Sequence, residues 1–289
     1  MHAPLRPPLP LLLVLVLMLA LALTLALPRC SDEPADPPSD GAVDLRGPDL
    51  SGPDGLPRDL AVLDGGPRDQ RADRAPDLPP STCPAGMLAL SSFCIDRHEA
   101  PNVKGQQPLV MYTFNESAAW CAARGKRLCF DDEWTLACAS AAGLKYPYGN
   151  THQPGVCNDD KLWKLYSQTK LNGWPSSVSS ASIASLPALF AAAKALGGSA
   201  AVAADHVQSL YQGTAAGDKV GCTNASGILD TCGNVEEWTR RRDGGSPSFH
   251  GNLKGRYWAE ARTCQSGVIT HGDGFRFYEI GFRCCRDLP

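Results

Sequence analysis

Eleven of the twelve cysteines follow residue 82, and they are the residues with the most obvious chemistry. They are Cys83, Cys94, Cys121, Cys129, Cys138, Cys157, Cys222, Cys232, Cys264, Cys284 and Cys285. Cysteines at this density form disulfides in an oxidising compartment and hold metal in a reducing one. No CxxC pair occurs, and no histidine stands at zinc-finger spacing from a cysteine, so disulfides are favoured over zinc. The odd number leaves at least one thiol unpaired or paired to something else.

Acid and base chemistry has weaker candidates. Asp96, His98 and Glu99 are neighbours in sequence, but we expect them to pair structurally with an arginine rather than to act as acid and base. The six histidines form no HxxxH pair, which disfavours a histidine metal centre. Residues 83–289 carry a net charge of only +2 and no basic stripe. Nucleic-acid binding, which needs clustered lysine and arginine, is therefore excluded.

The N-terminus has the pattern of an export signal. An apolar run from Leu11 to Leu27 follows Arg6 and is short for a full membrane span. We therefore assign residues 1–30 to a signal peptide or lipoprotein signal. Cys30 stands where a lipoprotein signal places its acylated cysteine, although Arg29 is a poor residue before such a site. Cleavage near Ala22 or Ala26, or an uncleaved anchor, are the alternatives, and in each case the membrane is contacted only through this segment.

Residues 31–82 form a disordered linker rich in proline and aspartate. The segment holds 12 acidic and 5 basic side chains and no aromatic residue, so it cannot offset the entropy of folding. Its frequent prolines predict a semi-rigid stalk. Residues 83–289 are long enough to bury a core and form one domain.

The elements of this domain can be placed in outline. Asn115 opens a predicted helix that stops at Gly125, and Asp131 begins a second one. Residues 183–212 are alanine-rich, and the pattern predicts a packed helical insertion interrupted at Gly197 and Gly198. Short strands and turns are expected after Gly244. The fold class is therefore α+β with little regular secondary structure, stapled by disulfides.

Five segments occur in an order that identifies a family. They are GKRLCFDDEW (125–134), YPYG (146–149), GILDTCGNVEEW (227–238), KGRYW (254–258) and GFRC (281–284). They resemble the GKRLPTEAEWE, FPWG, GLYDMSGNVWEW, RGGSW and GFRC blocks of the formylglycine-generating enzymes, also called sulfatase-modifying factors. Each block is weak alone, but together they cover the domain. The resemblance implies that family's α+β fold, which is related to C-type lectins.

The resemblance also implies disulfides. In secreted members, a cysteine before the GKRL block pairs with that of GFRC, and one after the EW helix pairs with one shortly before GFRC. The matching pairs are Cys121 with Cys284 and Cys138 with Cys264. We also expect Cys83 to pair with Cys94, whereas the partners of the remaining five cysteines stay open.

The copper equipment of the family is missing. Active members hold copper(I) between two thiolates that follow the GGS segment, and this soft ion needs both sulfurs. No cysteine lies between Cys232 and Cys264, and the resemblance assigns Cys264 to a structural bridge. Copper is therefore disfavoured and no catalytic residue is assigned. A shifted copper site formed by Cys264 and Cys285 is the less favoured alternative.

Calcium is the cofactor that the resemblance favours. Family members bind it through an asparagine and a glutamate of the GNVWEW block, which match Asn234 and Glu237, and hard oxygen ligands on an irregular loop suit this ion. The competing interpretation is that Asn234 satisfies a turn and Glu237 caps backbone amides. Asn158, followed by Asp159, matches the start of a second family calcium site.

These patterns predict an exported, surface-tethered relative of the formylglycine-generating enzymes in a bacterial-type cell envelope. Without the copper cysteines, we expect a non-catalytic binding or structural module. Its partner would be a peptide, from the family's substrate groove, or a glycan, from the lectin kinship of the fold. The alternative is an active oxygen-dependent oxidase that converts a cysteine of exported sulfatases to formylglycine.

Overall fold

The computed structural model describes residues 83–288. The predicted signal, Cys30 and the 31–82 linker lie outside the described residues. The helices are α1 (Phe114–Ala122), α2 (Asp131–Ala139), α3 (Gln168–Leu171), α4 (Leu186–Ala195) and α5 (Gly198–Leu210). The strands are β1 (Met87–Leu90), β2 (Phe93–Asp96), β3 (Arg127–Leu128), β4 (Glu236–Arg240), β5 (Gly251–Lys254), β6 (Gly267–Val268), β7 (Ile280–Phe282) and β8 (Cys284–Asp287).

The strands form two four-stranded sheets joined by a single residue. The first sheet has the order β1-β2-β8-β3 and the second β6-β5-β4-β7. All pairings are antiparallel except that of β4 with β7, which places Glu237 opposite Gly281 and Trp238 opposite Phe282. Because only Arg283 separates β7 from β8, the chain passes from one sheet to the other within the GFRC segment. Gly281 permits this, since a Cβ there would lie 2.6 Å from the carbonyl oxygen of Leu109.

Helix α1 begins and ends through local signals. The Thr113 hydroxyl accepts from the Glu116 amide at 3.2 Å. The Glu116 carboxylate accepts from the Thr113 amide at 2.8 Å, and the two bonds together form a complete capping box. Gly125 lies past the helix end with φ of +65°, a conformation that glycine adopts without a Cβ clash. The helices expected from Asn115 and Asp131 are both present.

The alanine-rich insertion is a pair of packed helices, as the sequence pattern predicts. Ser185 caps α4 by accepting from the Ala188 amide, and Gly197, with φ of +69°, separates α4 from α5. The buried faces carry residues such as Leu189 and Val207. Among residues 83–288, no helix is both long and apolar enough to cross a bilayer.

The core has two main apolar clusters. The larger one packs Trp120, Trp238 and Phe282. Trp120 and Phe282 are in edge-to-face contact at a centroid distance of 5.3 Å, an arrangement that aromatic pairs prefer. A second cluster surrounds Trp134 and four half-cystines. Two small sheets, short helices and long irregular segments confirm the α+β class.

Candidate ligand-binding site

A buried ion pair joins the GNVEEW segment to the GFRC segment. The Arg283 guanidinium donates from Nη2 to Glu237 Oε1 at 2.6 Å and from Nε to Glu237 Oε2 at 2.7 Å. Trp134 Nε1 also donates to Glu237 Oε2 at 3.0 Å. Arg283 Nη2 further donates to the carbonyl oxygens of Leu229 and Asp230. Both charged side chains are fully buried, so this pair compensates its own charges inside the protein.

Asn234 forms a separate polar cluster with Asn158. Its Oδ1 accepts from Asn158 Nδ2 at 3.0 Å and from the Thr214 amide at 2.8 Å. Its Nδ2 donates to Glu99 Oε2 at 2.7 Å. The structure thus brings Asn158 and Asn234 together and gives Glu237 to Arg283 instead.

The three predicted calcium ligands therefore differ in how well their oxygens suit the ion. The oxygen of Asn234 and both oxygens of Glu237 already accept hydrogen bonds, so they need no ion to satisfy them. Asn158 Oδ1 and Asp159 Oδ1 are buried and have no hydrogen-bond partner, which suits a cation better. In residues 83–288 no cluster of three histidine, cysteine, aspartate or glutamate side chains is arranged to hold a metal. Calcium stays a prediction, centred on Asn158 and Asp159.

The neighbouring acidic residues are structural but not paired as expected. Asp96 lies 2.6 Å from Lys126 Nζ, so its partner is a lysine and not the arginine we expected. Glu99 accepts from Asn234 and from the Val235 amide. Burial, and then the charge of Arg283, lower the pKa of His98 to about 4. That imidazole is therefore neutral at pH 7 and does not form an acid–base pair with either carboxylate.

Ten cysteines of the described residues form five disulfides. They are Cys83–Cys94, Cys121–Cys284, Cys129–Cys285, Cys138–Cys264 and Cys157–Cys222. The first, second and fourth are the pairs expected from the sequence. Cys264 and Cys285 have different partners, so the shifted two-thiolate copper site does not form. Cys232 is the one free thiol between residues 83 and 288, and a copper(I) site that needs two thiolates does not fit.

A cavity of about 340 Å³ opens beside β4 and β7, next to the 255–264 loop. Its charged lining comes from Glu236, Arg256 and Glu279. Arg256 Nη1 lies 3.3 Å from Glu236 Oε1, and its Nη2 is paired with Glu260. Glu260 also accepts from Arg262 Nε at 2.9 Å. The backbone amide of Glu236 donates to the Glu279 carbonyl, which fixes the two glutamates on adjacent segments.

Glu279 is the unusual member of this set. It is 7% exposed, and its Oε2 has no hydrogen-bond partner. Burial, and then the nearby charge of Glu236, raise the pKa of the Glu279 carboxyl to about 8. Aromatic side chains also line the cavity: the Tyr166 and Phe277 rings meet edge to face at 5.0 Å, and Phe275 stacks on His271 at 3.9 Å. The cavity thus combines aromatic rings with a buried carboxyl that has no ion-pair partner.

Comparison with known proteins identifies the domain. A family model described as the sulfatase-modifying factor enzyme 1-like domain matches residues 86–288. The chain belongs to this family. The resemblance read from the five sequence blocks is therefore confirmed.

Two curated family relatives match a short part of the chain. "Inactive C-alpha-formylglycine-generating enzyme 2" of Bos taurus is 43% identical over 60 residues, which cover 20% of this chain and 18% of the relative. The protein of the same name from Mus musculus is 41% identical over 64 residues, which cover 21% of this chain and 19% of the relative. The matched segment thus spans less than a fifth of either relative's length.

Solved structures resemble the chain only distantly. The structure of CarF has a TM-score of 0.43 and 14% identity, with 69% of this chain and 88% of that chain covered. PvdO from Pseudomonas aeruginosa has a TM-score of 0.36 and 19% identity, with 68% of this chain and 80% of that chain covered. Neither similarity bears on ligand or activity.

Two residues of the cavity depart from the family's blocks. Glu236 replaces the tryptophan of GNVWEW, and Arg256 replaces the second glycine of RGGSW. Glu279 lies two residues before Gly281 of GFRC. None of these three residues is predicted as a site residue from the sequence. An acidic residue in place of a tryptophan was the signal that could have pointed to them.

Proposed function

We propose that this protein is an exported, non-catalytic member of the sulfatase-modifying factor family, tethered at a cell surface and acting as a binding module. The pairing of the cysteines carries the proposal, because a copper(I) oxidase needs two free thiolates close together. Residues 83–288 offer a single free thiol, on Cys232. The curated relatives that match the chain are themselves named inactive, which agrees with this function.

Export is supported by the disulfides together with the N-terminal pattern. Five disulfides in one domain indicate an oxidising compartment, since cytosolic thiols are kept reduced. The apolar run after Arg6 supplies a route out of the cytoplasm. The linker of residues 31–82 would hold the folded domain away from the membrane.

The catalytic part of the proposal is tested with the full-length protein, purified oxidised and supplied with copper(I) and oxygen. A peptide containing Cys-x-Pro-x-Arg serves as substrate, and mass spectrometry detects the aldehyde. We expect no product, while an active formylglycine-generating enzyme converts the same peptide. Product above the copper-only background would overturn the proposal. The Cys232→Ser variant then shows whether the free thiol is responsible.

The tether is tested by fractionation of the host cells. If Cys30 is the acylated residue of a lipoprotein, the Cys30→Ala variant should move from the membrane fraction to the soluble exported fraction. Cys232→Ala is the matched control, because it removes a thiol buried in the domain. Unchanged membrane association of Cys30→Ala would exclude lipid anchoring and leave the uncleaved apolar segment as the anchor.

A further inference from the structure

We propose that the cavity between β4, β7 and the 255–264 loop, here called the Glu279 cavity, binds a primary ammonium group on an alkyl chain, as in a lysine side chain. This inference rests on the proposed binding function and names the ligand class of the site. It starts from Glu279, which is 7% exposed, lines the cavity and has no donor to its Oε2. Buried carboxyl oxygens are almost always hydrogen-bonded, so an unpartnered one at a cavity indicates a missing donor.

Charge decides which donor the cavity accepts. The acidic groups at the cavity and its edge are Glu236, Glu260 and Glu279. Arg256 and Arg262 are the basic ones, and both Nη atoms of Arg256 are occupied by glutamates. With Glu279 ionised, one negative charge is left without a partner, and a single cation would neutralise it. Arg256 Nε is buried without an acceptor, but an anion reaching it would face three carboxyl groups.

The aromatic wall favours the same ligand. The rings of Tyr166, Phe275 and Phe277 line the cavity, and their faces attract a cation that has lost water. Their apolar surface also suits the methylene chain behind an ammonium head. A primary ammonium gives three N–H donors, whereas a quaternary ammonium gives none. Of these two, the primary form alone satisfies both Glu279 and the rings.

The protonation of Glu279 predicts a specific pH dependence of ligand affinity. The pKa of the Glu279 carboxyl is about 8, raised by burial and then by Glu236. Near pH 7 the empty cavity therefore holds a neutral Glu279, and a bound cation would cause it to lose its proton. Affinity should rise about tenfold per pH unit up to about pH 8 and then level off. It should fall again above about pH 10, where the amine itself loses its charge.

Other titratable groups around the cavity do not produce this profile. Burial, and then Arg256, lower the pKa of His271, so its imidazole is already neutral at pH 7. Burial raises the pKa of Tyr257 to about 12 and that of Tyr278 further still. Burial also raises the pKa of Glu236, but the bound Arg256 opposes this shift. The carboxyl of Glu279, with a pKa of about 8, titrates in the range where this profile is expected.

Calorimetry with the full-length oxidised protein tests the proposal. The probes are N-acetyl-lysine amide, ethanolamine, and the trimethylated form of the lysine probe. We expect the lysine probe to bind with release of a proton at pH 7, measured as a dependence of the heat on the buffer's ionisation enthalpy. The trimethylated probe should bind at least tenfold more weakly. Stronger binding of ethanolamine than of the lysine probe would overturn the lysine-like chain and indicate a lipid headgroup as the source of the amine.

Two variants make the test specific. Glu279→Gln keeps the shape of the side chain and should weaken the lysine probe at least tenfold at pH 8 while abolishing proton release. Asp205→Asn, at an exposed residue on α5, is the matched control and should bind as wild type. Proton release by the wild type keeps the test valid if Glu279→Gln does not fold.

Equal binding of the trimethylated probe, wild-type affinity in Glu279→Gln, or no binding of any amine at millimolar concentration would overturn the assignment. These results would leave the absence of formylglycine formation untouched, so the two proposals fail separately.

Discussion

Arg283 is the residue at which the two sheets and the GNVEEW segment converge. Its guanidinium is fully buried and donates to Glu237 and to two backbone carbonyls. Burying such a pair has a large desolvation penalty, so the pair adds little net stability over an apolar replacement. Removal of one partner alone is different, because it leaves the other charge buried without compensation.

We therefore expect Arg283→Met to lower the free energy of unfolding by about 3–5 kcal/mol, the range for breaking a buried ion pair. Urea denaturation of the oxidised protein measures this change. Asp205→Asn, which removes an exposed partner of Lys194, is the control and should have little effect. An Arg283→Met variant as stable as the control would show that the pair does not hold the sheets together.

Cys232 offers a second prediction at this scale. Burial, and then the charge of Asp159, raise the pKa of the Cys232 thiol to about 12. Because the thiolate is the reactive form, we expect Cys232 to resist iodoacetamide in the native protein at pH 8 and to react in denaturant. Peptide mapping by mass spectrometry locates the label. Rapid native labelling of Cys232 would contradict its burial.

At the scale of elements, the disulfides hold in place short strands that have few backbone hydrogen bonds of their own. Strand β3 has two residues and β8 has four, and few backbone hydrogen bonds hold them. Cys121 of α1 and Cys129, just after β3, are bridged to Cys284 and Cys285 at the start of β8. Adjacent half-cystines on one strand thus tie it to two neighbouring elements, one on each face.

Loop length predicts how much two of these bridges stabilise the fold. Cys121 and Cys284 are 163 residues apart, whereas Cys83 and Cys94 are 11 apart. In the denatured chain, however, the neighbouring Cys129–Cys285 bridge shortens the loop that Cys121–Cys284 closes to about nine residues, so on the chain-entropy model loss of either bridge costs about 3 kcal/mol. Urea denaturation of the two double cysteine-to-alanine variants compares them. A much larger loss for one variant than for the other would show that local strain or packing, and not chain entropy, dominates.

At the scale of the whole molecule, calcium is the cofactor prediction that can be tested without knowing a ligand. An ion that binds only the native state raises its stability by about 2.7 kcal/mol at a concentration about one hundred times its Kd. We expect calcium to raise Tm and a chelator to lower it. Asp159→Asn should remove this response, because the unpartnered Oδ1 of Asp159 is one of the two oxygens that suit a cation. An unchanged Tm in chelator would end the calcium proposal.

Much of the fold could be read from local sequence. The positions of α1 and α2 follow from Asn115, Gly125 and Asp131, because signals at helix ends act within one helical turn. The break at Gly197 follows in the same way. The family could be read from the order of five blocks, and three disulfides from the positions that the blocks and the entry strand assign to their cysteines.

The rest depended on residues far apart in the chain. The three-dimensional positions of the Cβ atoms determine two of the disulfides and the free thiol, and the sequence pattern does not predict those positions. These are the pairs Cys129–Cys285 and Cys157–Cys222 and the unpaired Cys232. The sequence pattern predicts that Glu237 is a calcium ligand. In the structure, the passage from β7 to β8 places the Arg283 guanidinium against the Glu237 carboxylate. Glu236, Arg256 and Glu279 become one site only when β4 and β7 pair in parallel and the 255–264 loop folds over them. Charge compensation and burial are properties of such contacts, so tertiary structure alone decided where a buried carboxyl without an ion-pair partner would lie.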